Sequence, residues 1–392
     1  MKKILIRILG FWLGLSYYGV FANTNNMFFQ SLTHRLESLS LDSKQHFDES
    51  FSTILQTYLT NLLQILSNKV EVDTKVSLTY SPLICKGDKR ILCNLQSLTL
   101  ADKNDGTDVF KLHNIQFFVN ANNPTKVPIK IQINKIEYPD SLKNPRMHYF
   151  LPISYQYSGY IIYQDNKAIC QETYLYKGQE WHVQIQQTYS LFSRFLGQNF
   201  FQTLHTLLTS TQLRDEFGDI LGGTLSTQEQ LTKFQNIYDI SLSQYSLNIH
   251  GNIAKAFHYW KNMENTQPES MAIQELQKYL QTAKNFLNIP KADYPSELEA
   301  FKDSPATEKI LLFANKGLET LESNINGTTK DITFNMTAKT KNPPLAIHSL
   351  SKLYTLFHTS ATSAKKDDIV KNIIESFFSY YEIGISDQRM IR

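Results

Sequence analysis

The chain of 392 residues lacks the sequence motifs of the common enzyme and metal-site families. It contains no glycine-rich phosphate loop, no HExxH, no GxSxG and no Cys-x-x-Cys. Its ten histidines are scattered, and the closest useful spacings, His250 with His258 and His348 with His358, have no acidic residue in step. The sequence therefore predicts no metal site, no cofactor and no catalytic residue.

Paired carboxylates of the kind that glycosidases use are also hard to find. Glu172, Glu180, Asp215 and Glu216 are available as acidic side chains, but nothing in the sequence sets them apart. We interpret all of them as ordinary surface charge.

An excess of charge of one sign is missing as well. Lys and Arg number 39 against 36 Asp and Glu, which gives a formal net charge of +3 and a pI near 8.4. The two signs are interspersed along the chain, so no basic stripe forms, and the sequence predicts no nucleic-acid partner.

Long hydrophobic runs are absent beyond the first residues. A positive start at Met1–Lys3 precedes the apolar run Ile8–Phe21, and Val20–Ala22 supplies a cleavage pattern before Asn23. This order is typical of a secretory signal peptide, and it predicts residues 1–22 as that peptide and a periplasmic location. The alternative is an uncleaved inner-membrane anchor, although Arg7 leaves about 15 apolar residues where a span needs roughly 20. Peripheral membrane contact is compatible with either reading.

Cysteine is scarce, with three residues in the chain. Cys85 and Cys93 flank the turn-like sequence Lys86–Lys89, so a hairpin there would bring the two opposite each other on one face. Export permits oxidation, and we predict a disulfide between them. Cys170 is then either a buried free thiol or a residue that reaches a partner chain.

Hydrophobic periodicity divides the chain into a helical part, a strand part and a mainly helical part. The pattern predicts a helical N-terminal segment over 23–69 and an antiparallel meander of seven to eight strands over 70–190. A helix-rich region over 191–392 follows, with two further strands near 240–250 and 331–339, and the whole is an α+β fold. The clearest alternating runs are Val70–Tyr80, Ile115–Val119, Val127–Ile133, Ile153–Tyr157 and Trp181–Ile185.

Tyrosine is the most distinctive abundance, at 21 residues. A dense set on the predicted strands is our candidate ligand-binding surface, because tyrosine can line a groove for acyl chains or sugars, or a protein interface. The alternative is that tyrosine simply suits strands. The candidate residues are Tyr155, Tyr157, Tyr160, Tyr163, Tyr174 and Tyr176.

Together these patterns predict a non-enzymatic, exported cell-envelope protein. Its expected partner is an apolar, lipid-like ligand or another envelope protein. Two alternatives remain open at this point: a hydrolase acting on cell-wall or lipid material, and a surface-associated adhesion or virulence factor.

Overall fold

The computed structural model describes most of the chain from residue 52 to residue 386. The predicted signal peptide and most of the predicted helical segment lie outside the described residues, although those described between 52 and 67 are helical. Within 52–386 the positions not described are 54, 58, 61–62, 65–66, 68–75, 105, 140–144, 165–166, 211, 213–225, 262–267, 291–304, 340–342 and 360–362.

The described part is built on one antiparallel sheet of eleven strands. The strands are β1 (Val76–Tyr80), β2 (Leu83–Lys86), β3 (Arg90–Asp102), β4 (Asp108–Asn120), β5 (Lys126–Glu137), β6 (Ser154–Gln164), β7 (Lys167–Lys177), β8 (His182–Phe192), β9 (Asp239–His250), β10 (Asp331–Ala338) and β11 (Tyr381–Ser386). They lie in the order β1-β3-β4-β5-β6-β7-β8-β9-β10-β11, with β2 beside β3. Each strand from β3 onward therefore pairs with its neighbour along the chain.

The prediction of an α+β fold with an antiparallel sheet is confirmed, but the predicted strand count was wrong. The sheet has eleven strands, whereas seven to eight in the meander and two further ones were predicted; β9 and β10 are those two and belong to the same sheet, and β11 was not predicted. The strand β11 lies within the region over 191–392 that we predicted to be rich in helix. It is short, and the aromatic residues Phe377 and Phe378 before it hide the alternation of Tyr381, Ile383 and Ile385.

Eight helices with defined bounds occur in the described residues. The helix Thr227–Ile237 begins with a capping box, since the side chains of Ser226 and Glu229 accept hydrogen bonds from each other's backbone N–H groups. Among the described residues no helix is both long and apolar enough to cross a membrane. The eight are α1 (Pro145–Phe150), α2 (Phe200–Thr209), α3 (Thr227–Ile237), α4 (Ile253–Lys261), α5 (Glu269–Leu287), α6 (Pro305–Ile325), α7 (Ala346–Thr359) and α8 (Ser363–Tyr380).

The two faces of the sheet differ because side chains alternate along each strand. On one face, which we call the apolar face, a row of directly paired, half-buried residues crosses β5 to β10. The residues next to them in sequence point to the opposite face, which we call the polar face and which carries Lys130, Ser158, Thr173 and Gln186. We call the first set the central row: Ile131, Tyr157, Tyr174, Ile185, Leu247 and Phe334.

The alternation changes phase once in β3. Its buried positions run through Ile91 and Leu95, and then resume at Leu98. The shift occurs at Gln96, between the pairs Leu95–Ile115 and Ser97–His113, and Asn114 lies between the same two pairs on β4. Asn114 has a φ of 52°, in the left-handed region that asparagine tolerates better than most residues. The backbone turns there, so the apolar face continues along both strands although the residue parity has changed.

The C-terminal helices are joined to the sheet by Asn324, near the end of α6. This side chain is 1% exposed. Its Nδ2 donates to the carbonyls of Gly251 at 2.9 Å and Thr329 at 3.2 Å, and its Oδ1 accepts from the N–H of Ile253 at 2.8 Å. One amide therefore holds the end of β9, the start of α4 and the approach to β10 together.

We expect Asn324→Ala to lower the free energy of unfolding by about 2–3 kcal/mol, since it leaves buried backbone groups without partners. Urea denaturation followed by circular dichroism measures this loss. The exposed Asn326, two residues on, provides the control Asn326→Ala, which should change stability by less than about 0.5 kcal/mol. Equal losses in both variants would contradict the role of Asn324.

Candidate functional site

The apolar face is covered by helices near its two edges. On the β11 side, Phe313 of α6 places its ring 5.8 Å from that of Phe334. On the β3 side, Phe200 of α2 packs against Ile91 and Cys93, together with helical residues of the 52–67 stretch. Four tyrosines lie between these edges, on β6 and β7. We call them the tyrosine cluster: Tyr155, Tyr157, Tyr174 and Tyr176.

The tyrosine cluster is formed by two directly opposed pairs. The rings of Tyr155 and Tyr176 are 5.0 Å apart, and those of Tyr157 and Tyr174 are 5.2 Å apart. Aromatic pairs at this separation contribute about 0.5–1.5 kcal/mol beyond the area that they bury. Aliphatic residues of β5 and β8 continue the surface on both sides, so the rings belong to one unbroken apolar strip: Ile131, Ile133, Val183 and Ile185.

The other two candidate tyrosines lie elsewhere. Tyr163 is on the apolar face but is only 8% exposed, where it packs with Val127 and Ala168 in the core near α2. Tyr160 is on the polar face, where its hydroxyl donates to the side-chain oxygen of Gln171 and the amine of Lys126 lies 4.7 Å from its ring. The structure thus brings four of the six predicted residues together.

A carboxylate lies beside the tyrosine cluster on the apolar face. Oε1 of Glu172 accepts from the hydroxyls of Tyr157 at 3.2 Å and Tyr189 at 2.9 Å. Its Oε2 accepts from the hydroxyl of Tyr174 at 2.7 Å and from Nε2 of Gln187 at 2.6 Å. These four donors match the roughly four acceptor sites of a carboxylate. The interpretation of Glu172 as ordinary surface charge was therefore wrong.

Gly159 makes the room that this arrangement needs. It pairs with Glu172 across β6 and β7. A Cβ at this position would lie 2.6 Å from the carbonyl oxygen of Gln171 and 3.1 Å from the hydroxyl of Tyr157. Any larger residue would push the strands or the tyrosine away, so glycine allows the hydroxyl to reach the carboxylate.

The cluster keeps its tyrosines neutral. Burial, and then the negative charge of Glu172, raise the pKa of Tyr157 and of Tyr174 well above the ordinary value. Burial also raises the pKa of Tyr155 and Tyr176. The hydroxyls of Tyr157 and Tyr174 therefore remain donors at any physiological pH, and they are directed at Glu172. The part of the cluster that a ligand would contact is therefore the surface of the tyrosine rings.

Two cavities lie along these strands. The smaller, of about 220 Å³, is lined mainly by polar-face residues of β6, β7 and β8, among them Ser158, Thr173 and Gln186, so it opens on the face opposite the tyrosine rings. The larger, of about 1110 Å³, lies along the ends of β4 and β5, with Phe110 and Ile153 among its lining residues. Ser154, the first residue of β6, also lines it.

The larger cavity contains one strongly perturbed carboxyl group. Glu137 contacts the amine of Lys135 and lies 2.9 Å from Nε2 of His113. The hydrogen bonds from Lys135 and then from His113 lower the pKa of Glu137 to about 2. Glu137 is therefore ionised throughout the physiological pH range and cannot serve there as a general acid.

The cysteines form one pair and one buried thiol. Cys85 and Cys93 are directly opposed on β2 and β3 with their sulfur atoms 1.98 Å apart, so the predicted pair lies at disulfide distance. Cys170 is 3% exposed on the apolar face, and burial raises the pKa of its thiol to about 12. A thiol in this state is a poor nucleophile.

No protein-family model matches the chain, and no curated protein matches its sequence.

We expect thiol titration to distinguish the three cysteines. The native chain should show no reactive thiol at pH 8, because Cys170 is buried and protonated. The unfolded, unreduced chain should show one, and the unfolded, reduced chain three. The control Cys170→Ser should show none until it is reduced. Three reactive thiols without reductant would contradict the Cys85–Cys93 bond.

We expect Glu172→Gln to lower the free energy of unfolding by about 2 kcal/mol. The substitution removes the charge that strengthens the hydrogen bonds, and it places an NH2 group where a carboxylate oxygen accepted hydrogen bonds from neighbouring donors. Chemical denaturation gives the value. The matched control is Glu180→Gln, whose carboxylate is exposed and paired with Lys255, and it should have a small effect. A Glu172→Gln variant as stable as the control would show that the four hydrogen bonds contribute nothing.

Proposed function

We propose that the tyrosine cluster binds the acyl chain of a lipid-like ligand, in a non-enzymatic protein of the bacterial cell envelope. The observation that carries this proposal is the central row, a continuous series of half-buried apolar side chains on six adjacent strands. Binding sites for small apolar ligands are lined in this way, with few polar groups.

The length of the central row supports an acyl chain as the occupant. Six adjacent strands are separated by five spacings of about 4.8 Å, so the row extends about 24 Å. The hydrocarbon of one bilayer leaflet is about 15 Å deep, half of the full core. An extended acyl chain therefore fits within the row with room to spare.

The state of Glu172 supports an apolar ligand over a cationic or sugar-like one. Its carboxylate is supplied with donors by the protein itself, so it offers no strong acceptor to a ligand. Two of the four tyrosines direct their hydroxyls at it. A ligand on this face meets mainly aromatic rings and aliphatic side chains.

Charge also favours binding over hydrolysis. Glu137 has its pKa lowered to about 2, and Glu172 is enclosed by hydrogen-bond donors. Neither Glu137, with its lowered pKa, nor Glu172, whose oxygens accept hydrogen bonds from the protein, is placed to give a proton to a leaving group. The Cys85–Cys93 pair supports the exported location, since disulfides persist in oxidising compartments.

The test is lipid analysis of the mature chain purified from the periplasm, by native mass spectrometry followed by solvent extraction. We expect an adduct of fixed stoichiometry and saturable binding of a fluorescent fatty acid. The double variant Tyr155→Ser/Tyr176→Ser should weaken that binding about tenfold, because it removes two facing rings from the apolar strip.

The matched control is Tyr160→Ser, which removes a ring from the polar face of the same strand and should leave fatty-acid binding unchanged. Equal losses in the control and the double variant would contradict the assignment of the site. A chain that carries no lipid, binds no fatty acid and instead copurifies with a stoichiometric protein would make the cluster a protein interface.

A further inference from the structure

A second group of side chains lies on the polar face, at one end of β8, β9 and β10. His182 on β8 pairs directly with His250 on β9, which in turn pairs directly with Asp331 on β10. The imidazole rings of His182 and His250 are stacked, with centroids 4.6 Å apart and an interplanar angle of 12°. Nδ1 of His250 lies 3.0 Å from Oδ1 of Asp331.

The donor atoms of these three residues suit a metal ion. One ligand atom from each residue lies within 4.8 Å of the others. Donors around a tetrahedral Zn²⁺ at 2.0–2.1 Å are separated by about 3.3 Å. The distance from Nδ1 of His250 to Oδ1 of Asp331 is 3.0 Å, which is close to this value. A rotation of the His182 side chain would bring its ring nitrogen to a similar distance from these two atoms.

The backbone around the three residues is well fixed. They lie on neighbouring strands of one sheet, and the next pair along β9 and β10 is tied by a 2.7 Å bond from Nδ2 of Asn248 to Oγ1 of Thr333. The N–H of Gly251, which follows His250, donates to the carbonyl of Lys330 at 2.8 Å. Because hydrogen bonds already hold the backbone of these strands, their side chains lose little conformational entropy when a metal ion binds.

The charges are also compatible with a divalent ion. Two protonated imidazole rings stacked with centroids 4.6 Å apart would repel each other, so the stacking favours neutral rings. The neutral ring is also the form that binds a metal ion. Asp331 supplies one negative charge. Lys177 on β7 is paired with His182 and is the cation that opposes binding, although its amine is on a long, mobile stem.

We propose that His182, His250 and Asp331 form a binding site for a divalent transition metal ion, with two imidazole ligands, one carboxylate and a remaining position for water. This ligand set suits Zn²⁺ and neighbouring metals of the first row. An ion bound by these residues would link β8, β9 and β10 to one another at one end of these strands. The proposal is independent of the lipid site, which uses the opposite face.

The test is calorimetric titration of the untagged, chelator-treated mature chain with zinc chloride. We expect one Zn²⁺ per chain with micromolar or tighter affinity, and tetrahedral Co²⁺ absorption when cobalt replaces zinc. His182→Ala and Asp331→Asn should each weaken binding by about tenfold or more. The control His258→Ala removes a histidine of α4 and should bind like the unaltered chain.

Thermal unfolding keeps the test decisive if a variant is less stable. Zn²⁺ should raise the midpoint of the unaltered chain and of His258→Ala, and should not raise that of His182→Ala or Asp331→Asn, while Mg²⁺ should raise none. Absence of Zn²⁺ binding by the unaltered chain would overturn the proposal, as would equal binding by all variants. The three side chains would then be a stacked pair with a hydrogen bond and nothing more.

Discussion

The alternation of side chains along long antiparallel strands is the constraint on which the described structure depends. Neighbours in sequence pair from β3 to β9, so a residue and its partners on every strand share a face. A slip of one residue in any pair would exchange the apolar and polar faces of the whole strand. The phase change at Gln96 is tolerated because Asn114 turns the neighbouring strand at the same point. The helices then cover the edges of a face that the strands have already defined.

Glu172 shows how an apolar face can hold a charge. Moving an isolated carboxylate out of water is costly unless hydrogen bonds compensate for the lost hydration. Here the compensation comes from β6, β7 and β8, and it depends on Gly159 leaving space for the hydroxyl of Tyr157. The tyrosines therefore have two roles: their hydroxyls satisfy the carboxylate, and their rings form the surface that we assign to the ligand.

The parts of the fold that could be predicted from the sequence are the local ones. Alternating runs indicate strands, and the turn between Cys85 and Cys93 indicates which residues oppose each other. The same alternation would have placed Tyr160 on the face opposite Tyr157, had parity been applied to the tyrosines. The donors around Glu172 come from three strands, so they emerge only when the registers of β6, β7 and β8 are known. The strand β11 was missed because no turn separates it from α8.

The two proposed sites are connected by the same alternation. His182 precedes Val183 and His250 follows Ile249, and these two aliphatic residues are paired on the apolar face beside the tyrosine cluster. A metal ion bound by the histidines would fix the relative positions of β8 and β9, and with them Val183 and Ile249. A metal ion on the polar face would restrain the backbone of these strands as well as its own ligands. Metal binding would therefore make the ligand surface on the opposite face more rigid without contacting the ligand.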